Sequence, residues 1–492
     1  MFERITPEAA GISSEAVLEY IKTLDNNNLN THSIILSRGN KIISEAYYAP
    51  FHREFNHRMY SVSKSFVGIA IGLLMDDGLM SFDDKFVKFF PDYITDENCG
   101  DDLRDMTIRE ALTMTTCQTA WGWWFKSGTD DRLKLYFHNE PKYMSGSFFE
   151  YDSPVSYMLG AIVERLTGKP LLEFMKDRFL RDIGFSEDAY CIKCPGGHSF
   201  SDSGIMCTAY DLLLFARFVM NNGSWNGRQY MSADYVKDAT SYHVANSIYG
   251  NYSYSSLGYG YQIWQSYDGG FSFLGMGDQL AICDRERDFI MIINSDNQGN
   301  PHSRFLIVHD LYERIIRKLS DKPLEENKTA YDKLCEYEKT RVLNFAKPMY
   351  DGAFGKEISG KTYVLSENPM GITHFRLDFD ENGGKFSYTN EQGDKELRFG
   401  YGRNEFQKFP QDGYSDMTAG YPCPGNLYEC AVSANWLEPK KLHIKVQAID
   451  KYFGILDMAF AFKGERVTVM MQKTAEAFFD EYSGIAQGVI SK

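Results

Sequence analysis

The chain has 492 residues, of which 43% are hydrophobic and 24% are charged, a composition typical of globular proteins. That length exceeds what a single hydrophobic core supports, so two or more domains are expected. The formal net charge of −15 argues against binding to nucleic acid or to an anionic membrane, because both attract basic protein surfaces.

The N-terminal segment MFERITPEAAGISSEAV has neither the basic start nor the apolar core of a secretory signal. No run of 18 apolar residues occurs in the chain, so no membrane insertion is expected. The nine cysteines are scattered, and the single Cys-x-x-Cys at Cys191 and Cys194 has no second pair at zinc-site spacing. The sequence therefore predicts a cytoplasmic protein with free thiols.

Strand patterns open and close the first two thirds of the chain, and helical patterns lie between them. HSIILSRGNKIISEAYY alternates and turns at residues 38–40, which predicts a β-hairpin. Helical periodicity prevails from about residue 83 to 219. A second hairpin is predicted from SFLGMGDQLAICD and FIMIINSD, and a helix from HSRFLIVHDLYERIIRKL. This order predicts an α/β (α+β) fold: one antiparallel sheet built from both ends and flanked by helices, with a helical subdomain beside it.

The polar segment SDKPLEENKTAYDK, residues 320–333, indicates a domain boundary, and a short helix to about residue 345 is predicted after it. From about residue 355 the chain reads as short alternating strands separated by turns. Examples are KTYVL, FRLDFD, KFSYTN, ELRFGYG, KLHIKVQAID and ERVTVMMQK. We therefore predict a first domain over residues 1–340 and a smaller all-β domain, either a barrel or a sandwich, over residues 341–492.

The stretch YSVSKSFVGIAIGLLM places Ser61 and Lys64 three residues apart, at the start of an apolar helical run. Residues three apart on a helix share a face. Serine needs a neighbouring base to become a nucleophile, and a desolvated lysine loses some of its preference for the charged form. The alternative is a chance Ser-x-x-Lys with a solvated lysine, because short motifs often occur by chance. The apolar helix around the pair favours the catalytic interpretation.

The longer segment YSVSKSFVGIAIGLLMDDGLMSFDDKFVKFFP resembles the first motif region of the penicillin-recognising serine hydrolases. This family includes class C β-lactamases, D-alanyl-D-alanine carboxypeptidases, esterases and amide hydrolases. IREALTMTTC, YMLGAIVERLTGKPLLEF and TAYDLLLFARFVMNNG are also similar to the family, so the resemblance covers roughly the first two thirds of the chain. It implies a β-lactamase-like fold and an acyl-enzyme mechanism in which Ser61 is the nucleophile and Lys64 its base.

The family's second motif, Tyr-x-Asn, corresponds to Tyr151 and Ser153 in FFEYDSPVSYMLG. The resemblance implies that Tyr151 is the second half of the proton relay, and the alternative is a half-buried packing tyrosine. Ser153 stands where the family has asparagine. A serine hydroxyl has one donor fewer than an asparagine amide, so recognition of an amide-bearing substrate is weakened.

The third motif, Lys-Thr-Gly or His-x-Gly in the family, corresponds to residues 273–275 in GGFSFLGMGDQLAICD. Phe273 replaces the family cation, which helps to hold a substrate carboxylate. The resemblance implies that Gly275 lets substrate approach the strand backbone. It also implies that the N–H of Met276 forms the oxyanion hole with that of Ser61.

Two residues after this motif have less defined roles. Asp278 stands where relatives usually carry glycine, and it could either select a cationic or hydroxylated substrate group or cap a turn. Gln279 is expected to support the same loop.

Trp121, Trp123 and Trp124 lie on a glycine-containing loop, where they could line an acyl or aromatic pocket or simply pack.

No phosphate-binding glycine loop and no metal-ligand spacing occurs, so no cofactor and no metal are expected. Taken together, the sequence predicts a serine hydrolase that cleaves an ester or an amide bond in a small-molecule or short-peptide substrate. The altered second and third motifs argue against a dedicated β-lactamase. The alternative is a non-catalytic or slowly acylating ligand-binding protein on the same fold.

Overall fold

The computed structural model describes residues 2–95, 98–118, 131–137, 141–248, 254–413, 425–476 and 478–491. The chain divides into two compact units, Met1–Val342 and Leu343–Lys492. Each unit contains its own principal β-sheet. No helix within the described ranges combines the length and the apolar character needed to cross a membrane.

The first unit contains helices and strands in a mixed order. Its helices are α1 (Ser14–Asn26), α2 (Ser63–Asp76), α3 (Asp101–Asp105), α4 (Ile108–Leu112), α5 (Arg132–Phe137), α6 (Ser153–Thr167), α7 (Leu171–Met175), α8 (Ala209–Met220), α9 (Ala233–Ala239), α10 (Ser303–Arg314) and α11 (Lys328–Lys339). Its strands are β1 (Glu3–Arg4), β2 (Thr31–Arg38), β3 (Lys41–Tyr47), β4 (His57–Arg58), β5 (Tyr190–Cys191), β6 (Ile205–Cys207), β7 (Ser224–Trp225), β8 (Arg228–Gln229), β9 (Trp264–Gln265), β10 (Phe271–Gly275), β11 (Gln279–Asp284) and β12 (Phe289–Ser295).

The main sheet has the strand order β1-β3-β2-β12-β11-β10-β9. Every neighbouring pair is antiparallel except β1 with β3. Because β2 pairs with β12, the N-terminal hairpin and the later strands join in one sheet, which confirms the predicted construction from both ends. The predicted hairpin treated SFLGMGDQLAICD as a single strand, and this was wrong. This segment forms two strands, β10 and β11, because Gly277 and Asp278 adopt left-handed φ values of 73° and 67° and turn the chain.

Helices cover both faces of this sheet. Side chains from α1, α10 and α11 pack with alternate residues of the central strands in one apolar cluster, which includes Ile21, Leu311 and Leu334. Leu274 of β10 belongs to that cluster, whereas its neighbour Phe273 contacts Phe215 of α8 with ring centroids 5.4 Å apart. Successive strand residues point to opposite faces, so α8 lies on the other side of the sheet. Each fully buried aliphatic side chain of this kind contributes roughly 1.5–3 kcal/mol to folding.

The second unit is built around a closed β-barrel. It begins with helix α12 (Gly355–Ile358), and its strands are β13 (Thr362–Leu365), β14 (His374–Phe379), β15 (Gly383–Asn390), β16 (Gly393–Tyr401), β17 (Glu405–Lys408), β18 (Glu429–Glu438), β19 (Lys441–Ile449), β20 (Phe453–Lys463), β21 (Arg466–Ala475) and β22 (Gly484–Ile490). Nine strands follow one another as β16-β15-β14-β13-β22-β21-β20-β19-β18, and a parallel pairing of β16 with β18 closes the ring. Of the two predicted all-β architectures, the structure is therefore the barrel.

Candidate active site

Ser61 lies in a short 3₁₀ helix, Tyr60–Val62, that runs directly into α2. Its neighbour Tyr60 is buried and has a left-handed φ of 47°, a conformation that costs a bulky residue on the order of 1–3 kcal/mol. The buried guanidinium of Arg58 stacks on the Tyr60 ring at 4.2 Å and donates hydrogen bonds to the carbonyl and the hydroxyl of Ser203. The backbone of the residue next to the candidate nucleophile is therefore strained, and the buried Arg58 side chain packs against that residue.

Lys64 occupies the first turn of α2 and is 2% exposed. Its Nζ donates a hydrogen bond to Ser61 Oγ at 3.1 Å and another to the backbone carbonyl of Asp202 at 2.8 Å. The Asp202 carboxylate is also buried, with Oδ2 3.9 Å from Nζ. Burial raises the pKa of Asp202 above its ordinary value, and the nearby Lys64 charge opposes that shift. The structure thus brings the predicted pair within hydrogen-bonding distance and adds an acidic residue that the sequence analysis missed.

Tyr151 lies in the loop immediately before α6 and is half-buried. Lys64 Nζ is 5.1 Å from the centre of the Tyr151 ring, so the ammonium faces the aromatic ring. The ring also packs against Trp264, with centroids 5.3 Å apart. Among the described residues, the phenol has no hydrogen-bond partner. The three predicted catalytic residues are therefore neighbours, with the tyrosine ring contacting the lysine.

The start of α6 fixes the position of the Tyr151 loop. Asp152 is the N-cap: it accepts a hydrogen bond from the N–H of Val155 at 3.1 Å and another from the hydroxyl of Thr116 at 2.9 Å. Burial raises the pKa of Asp152 to about 7. Ser153 is the first residue of α6 and is partly exposed, and its hydroxyl has no partner among the described residues. That hydroxyl is available to a ligand.

The predicted third motif lies at the end of β10. A Cβ atom on Gly275 would be 2.5 Å from the carbonyl oxygen of Met59, so the glycine allows the strand to pass against the backbone just before Ser61. The glycine is therefore required by a close contact within the protein itself. The sequence analysis had expected it only to make room for substrate. Met276 follows the strand and is half-buried. Phe273 is fully buried beneath α8 and leaves no cation at its position.

The two residues whose roles were less defined are both engaged in the protein itself. The Asp278 carboxylate accepts hydrogen bonds from Ser303, Asn297 and Arg304, so its contacts fit the turn-capping alternative. Gln279 is fully buried, and its side-chain amide donates to the carbonyls of Met276 and Ser295. Its contacts match the expected support of the loop. Trp123 and its two neighbouring tryptophans lie outside the described residues.

A pairing between distant segments places Asp202 beside Lys64. Strand β4 pairs antiparallel with β6, with Arg58 opposite Met206, and the N–H of Met59 donates to the carbonyl of Ile205 at 2.9 Å. The residues leading into β6 therefore run next to the start of α2. No spacing rule connects residue 202 to residue 64, so sequence reasoning had no signal for this neighbour.

His57, the histidine nearest Ser61 in the sequence, is a buried residue of β4. Its Nδ1 is 3.0 Å from the Arg58 carbonyl oxygen, and its Nε2 is 2.8 Å from Nδ1 of His32. A carbonyl only accepts, so Nδ1 donates to it and Nε2 accepts from His32. Burial lowers the pKa of His57 to about 3. Both ring nitrogens thus form hydrogen bonds within the protein, so neither is available to act as a base for Ser61.

The described residues contain no group of three or more histidine, cysteine, aspartate or glutamate side chains placed to hold a metal ion. The site itself brings together a hydroxyl, a buried amine and a phenol ring, contributed by Ser61, Lys64 and Tyr151. This set matches the requirements for nucleophilic catalysis by serine with general-base assistance.

Comparison with known proteins gives a consistent result for the first unit. A family profile described as Beta-lactamase matches residues 20–309, more than half of the chain. A 6-aminohexanoate-dimer hydrolase from Paenarthrobacter ureafaciens is 24% identical over 220 residues, which are 42% of this chain and 56% of that protein. The chain thus spans little more than half the length of this relative.

Two solved structures share the fold. One is from Bacillus anthracis and is provisionally named a 6-aminohexanoate-dimer hydrolase. It has a TM-score of 0.50 and 20% identity, covering 61% of this chain and 83% of its own. The other is from Bacteroides dorei and is provisionally named a beta-lactamase. It has a TM-score of 0.51 and 18% identity, covering 62% of this chain and 98% of its own.

Proposed function

Because the chain belongs to the beta-lactamase family of hydrolases, we propose that it cleaves an ester or an amide bond through a covalent acyl intermediate on Ser61. The observation that carries this proposal is the contact between Lys64 Nζ and Ser61 Oγ, at 3.1 Å on a lysine that is 2% exposed. A base must lie within hydrogen-bond reach of the proton that it removes, and this geometry meets that condition.

In the acylation step, Ser61 Oγ attacks the substrate carbonyl carbon while its proton passes to neutral Lys64. The N–H groups of Ser61 and Met276 stabilise the oxyanion that forms. The proton moves through Lys64 and Tyr151 to the departing alcohol or amine, and the carbonyl–heteroatom bond breaks. Water then attacks the acyl carbon, the bond between that carbon and Ser61 Oγ breaks, and the carboxylic acid product leaves. The proton of the water follows the same pair in reverse and returns to Ser61 Oγ, so the enzyme ends as it began.

The substrate proposal rests on two departures from the family motifs. Phe273 is buried where relatives use a cation to hold a substrate carboxylate, and Ser153 offers one donor fewer than asparagine. A small ester, or an amide or peptide bond without that carboxylate, therefore suits the site better than a β-lactam. The name of the Paenarthrobacter relative, 6-aminohexanoate-dimer hydrolase, is compatible with an amide substrate.

A fluorophosphonate probe tests the proposal directly, because it reacts with activated serines. We expect labelling at Ser61, located by mass spectrometry of the labelled peptide, and loss of that label in Ser61→Ala. Lys64→Met should reduce labelling and ester turnover at least 100-fold while the protein remains folded. A wild-type protein that takes up no label and hydrolyses none of a broad set of esters, amides and β-lactams would instead be the non-catalytic binding protein.

A further inference from the structure

The turn that follows β10 is held by an arginine from another element. Arg304 is the second residue of α10. Its Nη2 donates to the carbonyl oxygen of Gly275 at 3.1 Å, and its Nε donates to Asp278 Oδ1 at 3.1 Å. The arginine side chain is 31% exposed, whereas the aspartate side chain is 5% exposed. One guanidinium therefore bridges the end of the strand and the far side of the turn.

The aspartate that receives this guanidinium is itself fixed in place. Its Oδ2 accepts a hydrogen bond from the hydroxyl of Ser303 and another from Nδ2 of Asn297 at 3.3 Å. Its backbone has a left-handed φ of 67°, which asparagine and aspartate adopt more readily than most residues. The carboxylate is thus oriented by contacts other than the one with the arginine. A glycine at this position could not provide such an anchor.

The carbonyl that Arg304 holds belongs to the same peptide unit as the N–H of Met276. A trans peptide is planar, and its C=O and N–H point in opposite directions. Fixing the Gly275 carbonyl on one side therefore fixes the direction of the Met276 N–H on the other. The next peptide is held as well, because Gln279 donates to the Met276 carbonyl at 2.9 Å.

This peptide unit needs support from surrounding side chains because its carbonyl belongs to a glycine. A side chain at residue 275 would collide with the Met59 carbonyl, so the position is restricted to glycine, the residue with the greatest backbone freedom. A free peptide at this place could rotate and present its carbonyl where its N–H should point. We propose that the Arg304–Asp278 pair is a positioning device that keeps the Met276 N–H directed into the oxyanion hole. This inference rests on the proposed function of Ser61 and Met276.

The test compares Arg304→Met, Arg304→Lys and Asp278→Asn with wild type, using the fluorophosphonate and a p-nitrophenyl ester. The phosphoryl oxygen of the probe occupies the oxyanion hole as it reacts, so phosphonylation of Ser61 reports on that hole. We expect Arg304→Met to slow phosphonylation and kcat by 10- to 100-fold with KM changed less than twofold. That loss is somewhat smaller than the loss of an entire oxyanion donor. Arg304→Lys should recover part of the rate, because lysine can still donate to the carbonyl.

Asp278→Asn should give a smaller loss, and the double variant Arg304→Met/Asp278→Asn should be no slower than Arg304→Met, because both changes remove the same constraint. Arg314→Met is the matched control: it lies in the same helix, pairs with Asp310 and is 46% exposed. It should keep the wild-type rates. Thermal unfolding of each variant separates slower chemistry from lost structure.

Three outcomes would overturn the inference. Arg304→Met could react at the wild-type rate, its losses could multiply with those of Asp278→Asn, or its rate could fall only in proportion to the folded fraction. In each of these cases wild-type Ser61 is still labelled, so the proposed function stands. A wild-type protein that is never labelled overturns the proposed function and this inference with it.

Discussion

In its protonated form, Lys64 is a buried cation whose contacts offset the cost of its burial. An unpaired ammonium in a protein interior is strongly unfavourable. Here the Asp202 carbonyl, the Asp202 carboxylate, Ser61 Oγ and the face of Tyr151 surround it. The same contacts hold Nζ against the serine hydroxyl. The same neighbours therefore stabilise the buried charge of Lys64 and place its Nζ beside the serine.

The raised pKa of Asp152 predicts a dependence of stability on pH. In the folded protein its pKa is about 7, against an ordinary value of 3.8 for an aspartate. Between these values the folded state keeps a proton that the unfolded state has released, so the free energy of unfolding falls as pH rises. Asp152→Asn has the shape of the neutral acid and cannot ionise, so the variant does not lose unfolding free energy at this site as pH rises. From pH 4.5 to pH 8 we expect the variant to gain roughly 2–3 kcal/mol relative to wild type, measured by urea unfolding.

Asp234→Asn is the control for that measurement, because the side chain of Asp234 is 96% exposed in the first turn of α9. Its stability relative to wild type should hardly change over the same pH range. A difference between Asp152→Asn and wild type that stays constant with pH would contradict the prediction.

Local residue patterns were enough to predict some of the site and not the rest. Ser61 and Lys64 lie within one helical turn, so spacing alone placed them together. Asp202 lies 138 residues from Lys64 in the sequence and is brought to it by the pairing of β4 with β6. Strands of two or three residues have no recognisable sequence pattern. The contact of Arg304 with Gly275 crosses a hairpin and a helix start. Such neighbours depend on tertiary packing, which no short motif encodes.

At the scale of elements, the end of β10 and the segment before α2 form one structural unit. They meet where Gly275 passes the Met59 carbonyl. The contact joins the candidate nucleophile to the candidate oxyanion donor through backbone alone. The precision of the site therefore depends on how closely these two segments approach each other.

Gly275→Ala tests this approach. Its Cβ would lie 2.5 Å from a backbone oxygen that cannot rotate away, so the strand end must move. We expect a loss of about 1–3 kcal/mol in the free energy of unfolding and a large drop in the rate of Ser61 phosphonylation. Gly100→Ala is the control, since a Cβ there would meet nothing within 4 Å. A fully active and stable Gly275→Ala protein would show that the close contact is dispensable.

The strand predictions in the second unit show which pattern sequence analysis can detect. The predicted segments for β14, β15 and β21 alternate between buried and more exposed residues. Strand β18 was not predicted, because seven consecutive residues from Cys430 to Trp436 are buried and no alternation survives. Strand β20 begins with four buried residues and was missed for the same reason. Closure of the barrel could not be predicted either, since it depends on the pairing of β16 with β18.

At the scale of the whole molecule, every described residue that we assign to the active site belongs to the first unit. We propose that this unit, Met1–Val342, is the catalytic domain and that Leu343–Lys492 is a separate folding unit. The connecting region carries exposed apolar side chains, among them Val342, Met349 and Tyr350. Of these, Tyr350 and, more weakly, Met349 are suitable cleavage sites for chymotrypsin, which prefers aromatic and large unbranched apolar residues.

Limited proteolysis of the full chain tests that division. We expect early cleavage near residues 342–350 and a stable N-terminal product that still reacts with the fluorophosphonate at Ser61. Ser61→Ala protein, digested in the same way, provides the unlabelled control. If the N-terminal product is degraded at once, or loses its reactivity on cleavage, the two units do not behave as separate domains.

The main sheet of the first unit ends on both sides in very short strands. Strands β1 and β9 each have two residues, while the strands between them have five to eight. Long open edges are templates on which further chains add strands, and short edges limit that process. Strands β11 and β12, whose residues are all buried, are thereby shielded from pairing with another copy of the chain. We expect the folded protein to resist edge-to-edge aggregation at high concentration, even though its most aggregation-prone segments form the centre of the sheet.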